Sequence, residues 1–345
     1  MTRTVRLLLV GLGNLGWRFC DLLAQKGAAI EARYGLRLSL VGVADSSGTA
    51  YLPDGLDPAR VAAVKRSGGT AADLPGGRPG EPALALIACA EADVLCEASP
   101  VNLRQGAEPG LSHVRAALRR RMHVVTPNKG PLVLAYRELH DLAAQHGVQL
   151  RFDGTVAGGL PALYIGQRDL RGAVVHRIEA VPNLSTGYVL ELLAEGFSWE
   201  EAQARARQEG VLEADPSFDL EGWDAAAKLV ILINAVMGVP ARLEDVERMG
   251  ITGLSGADVV AARREGRVYK LLATADLSAD GSMRMRVEPV PLPGDHFLAR
   301  LGRKQMGVVY HTDIYGTLMA AIDEPTPIPS AATMLRDILD IYGTV

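Results

Sequence analysis

Two lysines stand out in the chain by where they fall. Lys228 closes the run Trp223-Asp224-Ala225-Ala226-Ala227-Lys228 and lies at i, i+4 from Asp224, so both share one face of a predicted helix. The text that follows, LVILINAVMG, is almost wholly apolar. A charge at the head of such a run is partly buried and held for a purpose, unless the pair only staples its helix. Lys129 lies in Thr126-Pro127-Asn128-Lys129-Gly130, directly after the apolar HVV. That places it at the carboxyl end of a predicted parallel strand, where open α/β sheets put their ligands.

A third feature is Gly11-Leu12-Gly13-Asn14-Leu15-Gly16, between the strand VRLLLV and a helical pattern. The first glycine permits a tight turn, the second lets backbone approach a pyrophosphate, and the third lets helix pack on strand. A helix N-terminus then offers unpaired N–H groups and partial positive charge to the phosphates. The motif in this setting predicts a bound dinucleotide. The second strand ends at Asp45-Ser46-Ser47-Gly48, where such folds read the adenosine ribose. A carboxylate there favours NAD by bonding ribose hydroxyls and repelling a 2′-phosphate. Ser46, Ser47, Lys65 or Arg66 would accommodate a phosphate, so NADP stays open. Asp45 as a cap on the turn after its strand is the alternative.

These residues need a scaffold, and 345 residues with a hydrophobic share of 48% supply two domains with real cores. In the first third, short apolar strands alternate with helical patterns, which implies a doubly wound parallel sheet. Residues 53–82 are rich in Gly, Pro and Ala and read as loops around one helix, Pro58 to Arg66. The stretch VQLRFDGTV reads as a strand, and the Gly158-Gly159-Leu160-Pro161 turn as the passage toward a second domain. Ser198-Trp199-Glu200-Glu201 is a capping box. A net charge of −4 offers no basic surface to a nucleic acid. Cys20, Cys89 and Cys96 show no disulfide or zinc spacing, and the N-terminal apolar run is too short to span a bilayer. A cytoplasmic protein with no membrane partner is the expectation.

The ordered set GLGNLG, ADSSG, Glu97-Ala98-Ser99-Pro100, VVTPNKGPL, TVAGGLP, PNLSTGYVLELL, LEADPSFDLEGWDAAAKLVILI and DHFLARL resembles the homoserine dehydrogenases along nearly the whole chain. The resemblance implies an α/β protein. A Rossmann-type domain of residues 1–135 with 315–345 would join an α+β catalytic and dimerisation domain of residues 136–314. It also implies NAD(P)-dependent interconversion of aspartate-4-semialdehyde and homoserine, within threonine and methionine biosynthesis, in a homodimer or larger homo-oligomer. By motif position Lys129 and Lys228 are catalytic, with Asp224 orienting Lys228. A protonated lysine would stabilise charge on the carbonyl oxygen and supply its proton. Glu213 and Asp219 would hold the substrate's ammonium, and Asn183, Ser185, Thr186 and Tyr188 the rest of this amino-acid substrate. Gly11, Gly13, Asn14, Leu15, Gly16, Asp45, Ser46, Ser99, Pro100, Asn128 and Lys129 would hold the cofactor. Carbonyls of Val156 and Gly158 would hold a monovalent cation such as sodium. Two departures stand out: Leu184 where the family has glycine, and Ile322 to Pro329 in place of a glycine-rich turn. They leave as alternatives a divergent oxidoreductase on another small amino acid or aldehyde, or a non-catalytic NAD(P)-binding paralogue.

Overall fold

The computed structural model describes residues 2–213 and 215–343. The chain opens with β1 (Arg3–Val10), whose Val5, Leu7, Leu8 and Leu9 are fully buried, as a strand covered on both faces must be. Next come α1 (Asn14–Tyr34), β2 (Leu36–Asp45), β3 (Gly48–Tyr51), α2 (Pro58–Arg66), β4 (Gly77–Pro79) and α3 (Ala83–Cys89). After these follow β5 (Val94–Glu97), α4 (Gly110–Arg119), β6 (His123–Val125), α5 (Lys129–His146) and β7 (Leu150–Arg151). The sheet runs β4-β3-β2-β1-β5-β6-β7. From β2 to β7 every pairing is parallel. Strands β3 and β4 add antiparallel to its edge. They lie in and beside text that reads as loops, because glycine and proline hide them: at Gly48 φ is 152° and a Cβ would come 2.4 Å from the Arg78 carbonyl oxygen. Helix α1 stops where Gly35 turns left-handed.

The second group begins with α6 (Ala162–Tyr164), β8 (Val175–Val181), α7 (Leu184–Ala194), α8 (Trp199–Gln208), α9 (Ser217–Leu220) and α10 (Trp223–Leu232). It continues with β9 (Glu247–Arg248), α11 (Gly256–Arg264), β10 (Arg267–Leu277), β11 (Met283–Pro293), β12 (Gln305–Thr312) and β13 (Thr317–Asp323). Its sheet runs β13-β12-β8-β10-β11-β9, antiparallel except where β9 meets β11. Helices α7, α10 and α11 pack on β10. Helix α10 passes into a π-helical turn, Ile233–Met237, that ends at left-handed Gly238. The expected capping box at Ser198 and Glu201 is formed in both directions. Ser198→Ala is expected to cost about 1 kcal/mol. Thermal unfolding should register it as a Tm lower by about 2–4 °C.

The final helix, α12 (Ile328–Tyr342), returns to the first sheet, where Met334, Leu335 and Ile338 enter one core with Val5, Leu7 and Cys96. Two compact units result, residues 1–159 with 326–345 and residues 160–325. The boundaries expected at 135/136 and 314/315 fall short of these for topological reasons. Helix α5 runs on to His146 and β7 then adds the last strand of the first sheet, while β13 pairs with β12 in the second. Of the expected strand VQLRFDGTV only Leu150–Arg151 pairs as a strand; Asp153–Thr155 curls into a 3₁₀ turn, where the Asp153 amide donates to Asp337 at 3.2 Å.

Candidate active site

In the first unit the ends of β1, β2, β5 and β6 open onto a cavity of about 900 Å³, at the carboxyl edge of the parallel strands. Gly11, Gly13, Asn14 and Leu15 form one wall. The three glycines do different things. A Cβ on Gly16 would lie 1.9 Å from the Gly11 carbonyl oxygen, and one on Gly11 would lie 2.3 Å from that of Ala98, so both are packing requirements. A Cβ on Gly13 would meet nothing within 4 Å. Gly13 is the N-cap of α1 and faces open cavity, so its bareness serves what approaches from outside.

Ser99, Pro100 and Asn128 also line the cavity. They are held by a buried network around Glu97, a residue named in its motif but given no role there. Glu97 Oε1 accepts from the Ser99 hydroxyl and, at 3.1 Å, from the Ser99 amide, with His113 Nδ1 at 3.4 Å. Thr126 donates to the Glu97 carbonyl at 2.8 Å and accepts from the Asn128 amide at 3.0 Å. Asn128 caps α5 through its side-chain oxygen, with Gly130 N at 3.0 Å. Lys129 is therefore the first residue of α5, which kinks at Ala135, and is half-buried. A cation is disfavoured at that end of a helix, so helix stability gives it no reason to be there.

At the end of β2 the Asp45 carboxylate is filled by protein donors. Oδ1 accepts from the Ser47 amide at 3.0 Å and its hydroxyl at 2.6 Å; Oδ2 accepts from Lys65 Nζ at 2.9 Å and the Ala71 amide at 3.0 Å. Burial pushes the carboxyl up, but the bonds from Ser47, Lys65 and the two amides outweigh it and hold Asp45 below its ordinary 3.8. All four acceptor positions are taken. This geometry favours the turn-capping alternative over a direct bond to a ribose. Asp45, Ser46 and Lys65 nonetheless border the cavity, and the neighbouring Arg66 pairs with Asp21 at 3.0 Å.

In the second unit Lys228 lies on α10 with its ammonium in a cage. Nζ is 2.8 Å from Asp224 Oδ2, donates to the Pro182 carbonyl at 2.8 Å and donates to Asn183 Oδ1 at 3.0 Å. Three acceptors meet the three N–H bonds of one ammonium. Asp224 is 5% exposed. Asn183 is the N-cap residue of α7 but makes no capping bond with its side chain, because that oxygen is turned to Lys228. Leu184 opens α7 in helical conformation, so the replacement of glycine there requires no positive φ. Ser185, Thr186 and Tyr188 are buried on the first turns of the same helix. Glu213 is exposed and forms no ion pair among the described residues; Asp219 is half-buried on α9. In the 156–158 turn, Ala157 and Gly158 are both left-handed, at φ 53° and 56°. Among the described residues no backbone group donates to the carbonyls of Val156 and Gly158, a donor set of neutral oxygens that suits a hard monovalent cation.

Two family models match the chain: homoserine dehydrogenase over residues 161–339, and the homoserine dehydrogenase NAD-binding domain over residues 11–153. An NAD(+)-dependent homoserine dehydrogenase of Pseudomonas canavaninivorans is 34% identical over 98% of this chain and 96% of its own length. The crystal structure of a proposed homoserine dehydrogenase from Archaeoglobus fulgidus superposes with a TM-score of 0.88 at 31% identity, covering 99% of this chain and 100% of that one. A hyperthermophilic archaeal homoserine dehydrogenase in complex with NADPH gives 0.84 at 26% identity, over 98% of both chains. With both halves matched in order, and a phosphate-binding turn in the first unit and a caged lysine in the second, the chain belongs to the homoserine dehydrogenase family of NAD(P)-dependent oxidoreductases.

Proposed function

We propose that the enzyme interconverts homoserine and aspartate-4-semialdehyde with Lys228 as its proton-transfer group and Lys129 as a second cation at the substrate. The observation that carries this reading is the Lys228 cage. An ammonium held by one carboxylate and two neutral oxygens is positioned to exchange one neutral acceptor for the substrate's carbonyl oxygen, to hold its growing negative charge and to pass it a proton. The nicotinamide cofactor, when bound, supplies or takes up the hydride. Asp224 holds the amine in place. Ser185 and Thr186 offer hydroxyls to the substrate beside Tyr188, and Glu213 with Asp219 the negative charge its ammonium needs. Family membership supports a homodimer or larger assembly, and a cytoplasmic role in threonine and methionine biosynthesis. An assay of homoserine oxidation with NAD and NADP tests the reading; turnover with neither cofactor overturns it.

NAD is the preferred cofactor in this reading. To meet a 2′-phosphate, Lys65 would have to leave Asp45 and Arg66 to leave Asp21, with the Asp45 carboxylate repelling the newcomer. Asp45→Ala is expected to free Lys65 and shift the NADP-to-NAD ratio of kcat/KM upward by about tenfold or more, the effect of roughly 1.4 kcal/mol. Steady-state kinetics with both cofactors measures it. The same carboxylate makes an acid-stability prediction. A carboxyl held below its ordinary 3.8 contributes stability that is present above that value and lost as pH falls through the depressed folded value. Denaturant unfolding should therefore separate wild type from Asp45→Asn at neutral pH, and the gap should close in strong acid.

A further inference from the structure

A second cavity, of about 230 Å³, lies within the second unit between α7, α11, β10 and the turn Phe297–Arg300. Leu190, Ala194, Val259, Val268 and Leu301 give it apolar walls. Lys270, on β10, also lines it and is 4% exposed. Its ammonium donates to the Leu301 carbonyl at 2.6 Å and has no ion pair among the described residues. Burial lowers its pKa from the ordinary 10.5, and Glu191 offsets part of that. Glu191 does not neutralise it alone, because Glu191 Oε2 lies 3.5 Å from Arg303 Nε. At the mouth stand three exposed arginines, Arg263, Arg267 and Arg300. Among the described residues none of them forms an ion pair.

A buried ammonium with one neutral acceptor is costly. A cation at the closed end, guanidinium forks at the open end and hydrocarbon between them match an organic anion with a carboxylate at each end. Inorganic phosphate would leave the apolar walls uncovered, and a nucleotide would not fit the volume. We propose that this cavity is a binding site for a small dicarboxylate, one carboxylate on Lys270 and the other beneath the arginines. Leu190, Glu191 and Ala194 belong to α7, whose N-terminal end carries Asn183, an acceptor for Lys228. Occupancy would thus be felt at the catalytic lysine. That consequence rests on the role proposed for Lys228; the binding site does not.

Calorimetric titration and thermal unfolding of the full chain with glutarate test the site, against inorganic phosphate and against potassium chloride at matched ionic strength. Saturable glutarate binding with a rising Tm is expected, and no comparable response to either control. Lys270→Met should weaken glutarate by about tenfold to a hundredfold, the loss of one charged hydrogen-bond donor. Arg263→Gln with Arg300→Gln should weaken it as well without touching the interior. Absence of saturable binding, phosphate binding as tight as glutarate, displacement of glutarate by homoserine, or affinity unchanged in the Lys270 variant would each overturn the proposal. Should Lys270→Met fail to fold, undiminished binding in the double arginine variant overturns it equally. A change in homoserine turnover that saturates with glutarate and disappears in the arginine variant supports the coupling to α7; its absence with binding intact removes only the coupling.

Discussion

Lys228→Met is expected to lower kcat for homoserine by about 10³-fold or more while NAD binding stays within a factor of a few. The magnitude follows from the two jobs assigned to one amine: proton transfer contributes about 10²–10⁴, and a donor aimed at developing oxyanion charge about 10²–10³, with the two overlapping because one group performs both. The variant also takes from Asp224, which is 5% exposed, the cation that lies 2.8 Å from it. Removing one member of a buried ion pair costs about 3–5 kcal/mol, so a fall in Tm will accompany the fall in rate. Pairing Lys228→Met with Asp224→Asn separates the two effects. Stability should return in part, because the buried charge that had lost its cation is gone, while turnover should not. Recovery of turnover in the pair, or a Lys228→Met rate within tenfold of wild type, would show that the amine braces its helix and does not transfer the proton. Cofactor binding by fluorescence titration and single-turnover rates read the two arms independently.

The parts of the fold and site that the sequence displays are those set by neighbours along the chain. GLGNLG is legible because Gly11 and Gly16 answer contacts within the turn or with the adjoining strand and Gly13 lies between them at the helix start, and Asp224 with Lys228 because one helical turn separates them. What stays hidden is pairing at a distance. Lys65 and Ala71 reach Asp45 from 20 and 26 residues away, and nothing in ADSSG announces that its carboxylate will be filled from there. Asn183 reads as a substrate amide within its motif. Its oxygen is in fact committed to Lys228, 45 residues on, a relation fixed by the packing of α7 and α10. Glu97 sits inside the apolar text ADVLCEAS, where a strand reading absorbs it. Lys270 sits in an alternating strand, where alternation assigns a lysine to solvent; the cover of α7, α11 and the Phe297–Arg300 turn overrides that. Strands β3 and β4 are lost for a third reason, since glycine and proline lower strand propensity at the very positions where close approach demands them.

The glycines of the phosphate turn give the second large expected effect, because they divide cleanly between binding and folding. Gly13→Val should leave the fold intact. At Gly13 φ is −72° and ψ −159°, extended backbone that any residue adopts, and a Cβ there meets nothing within 4 Å. The added side chain instead occupies the place from which a pyrophosphate must approach the amides that start the 21-residue α1. NAD affinity should fall by about a hundredfold, since displacing the phosphates gives up several charge-assisted bonds at roughly 1.5–3 kcal/mol each, partly recovered by a shifted pose. The Tm without cofactor should not move. Gly16→Ala should do the reverse. Its single methyl would sit 1.9 Å from the Gly11 carbonyl oxygen, and Gly11 cannot retreat, being at φ 97° with Ala98 directly behind it. Relief requires moving α1 off β1, through a core that includes Phe19, Leu23 and Leu7, and a loss of at least about 3 kcal/mol is expected before any cofactor is added. Equal Tm losses in the two variants, or weakened NAD binding only in Gly16→Ala, would mean that the helix start is structural alone and that the cofactor's phosphates are held elsewhere.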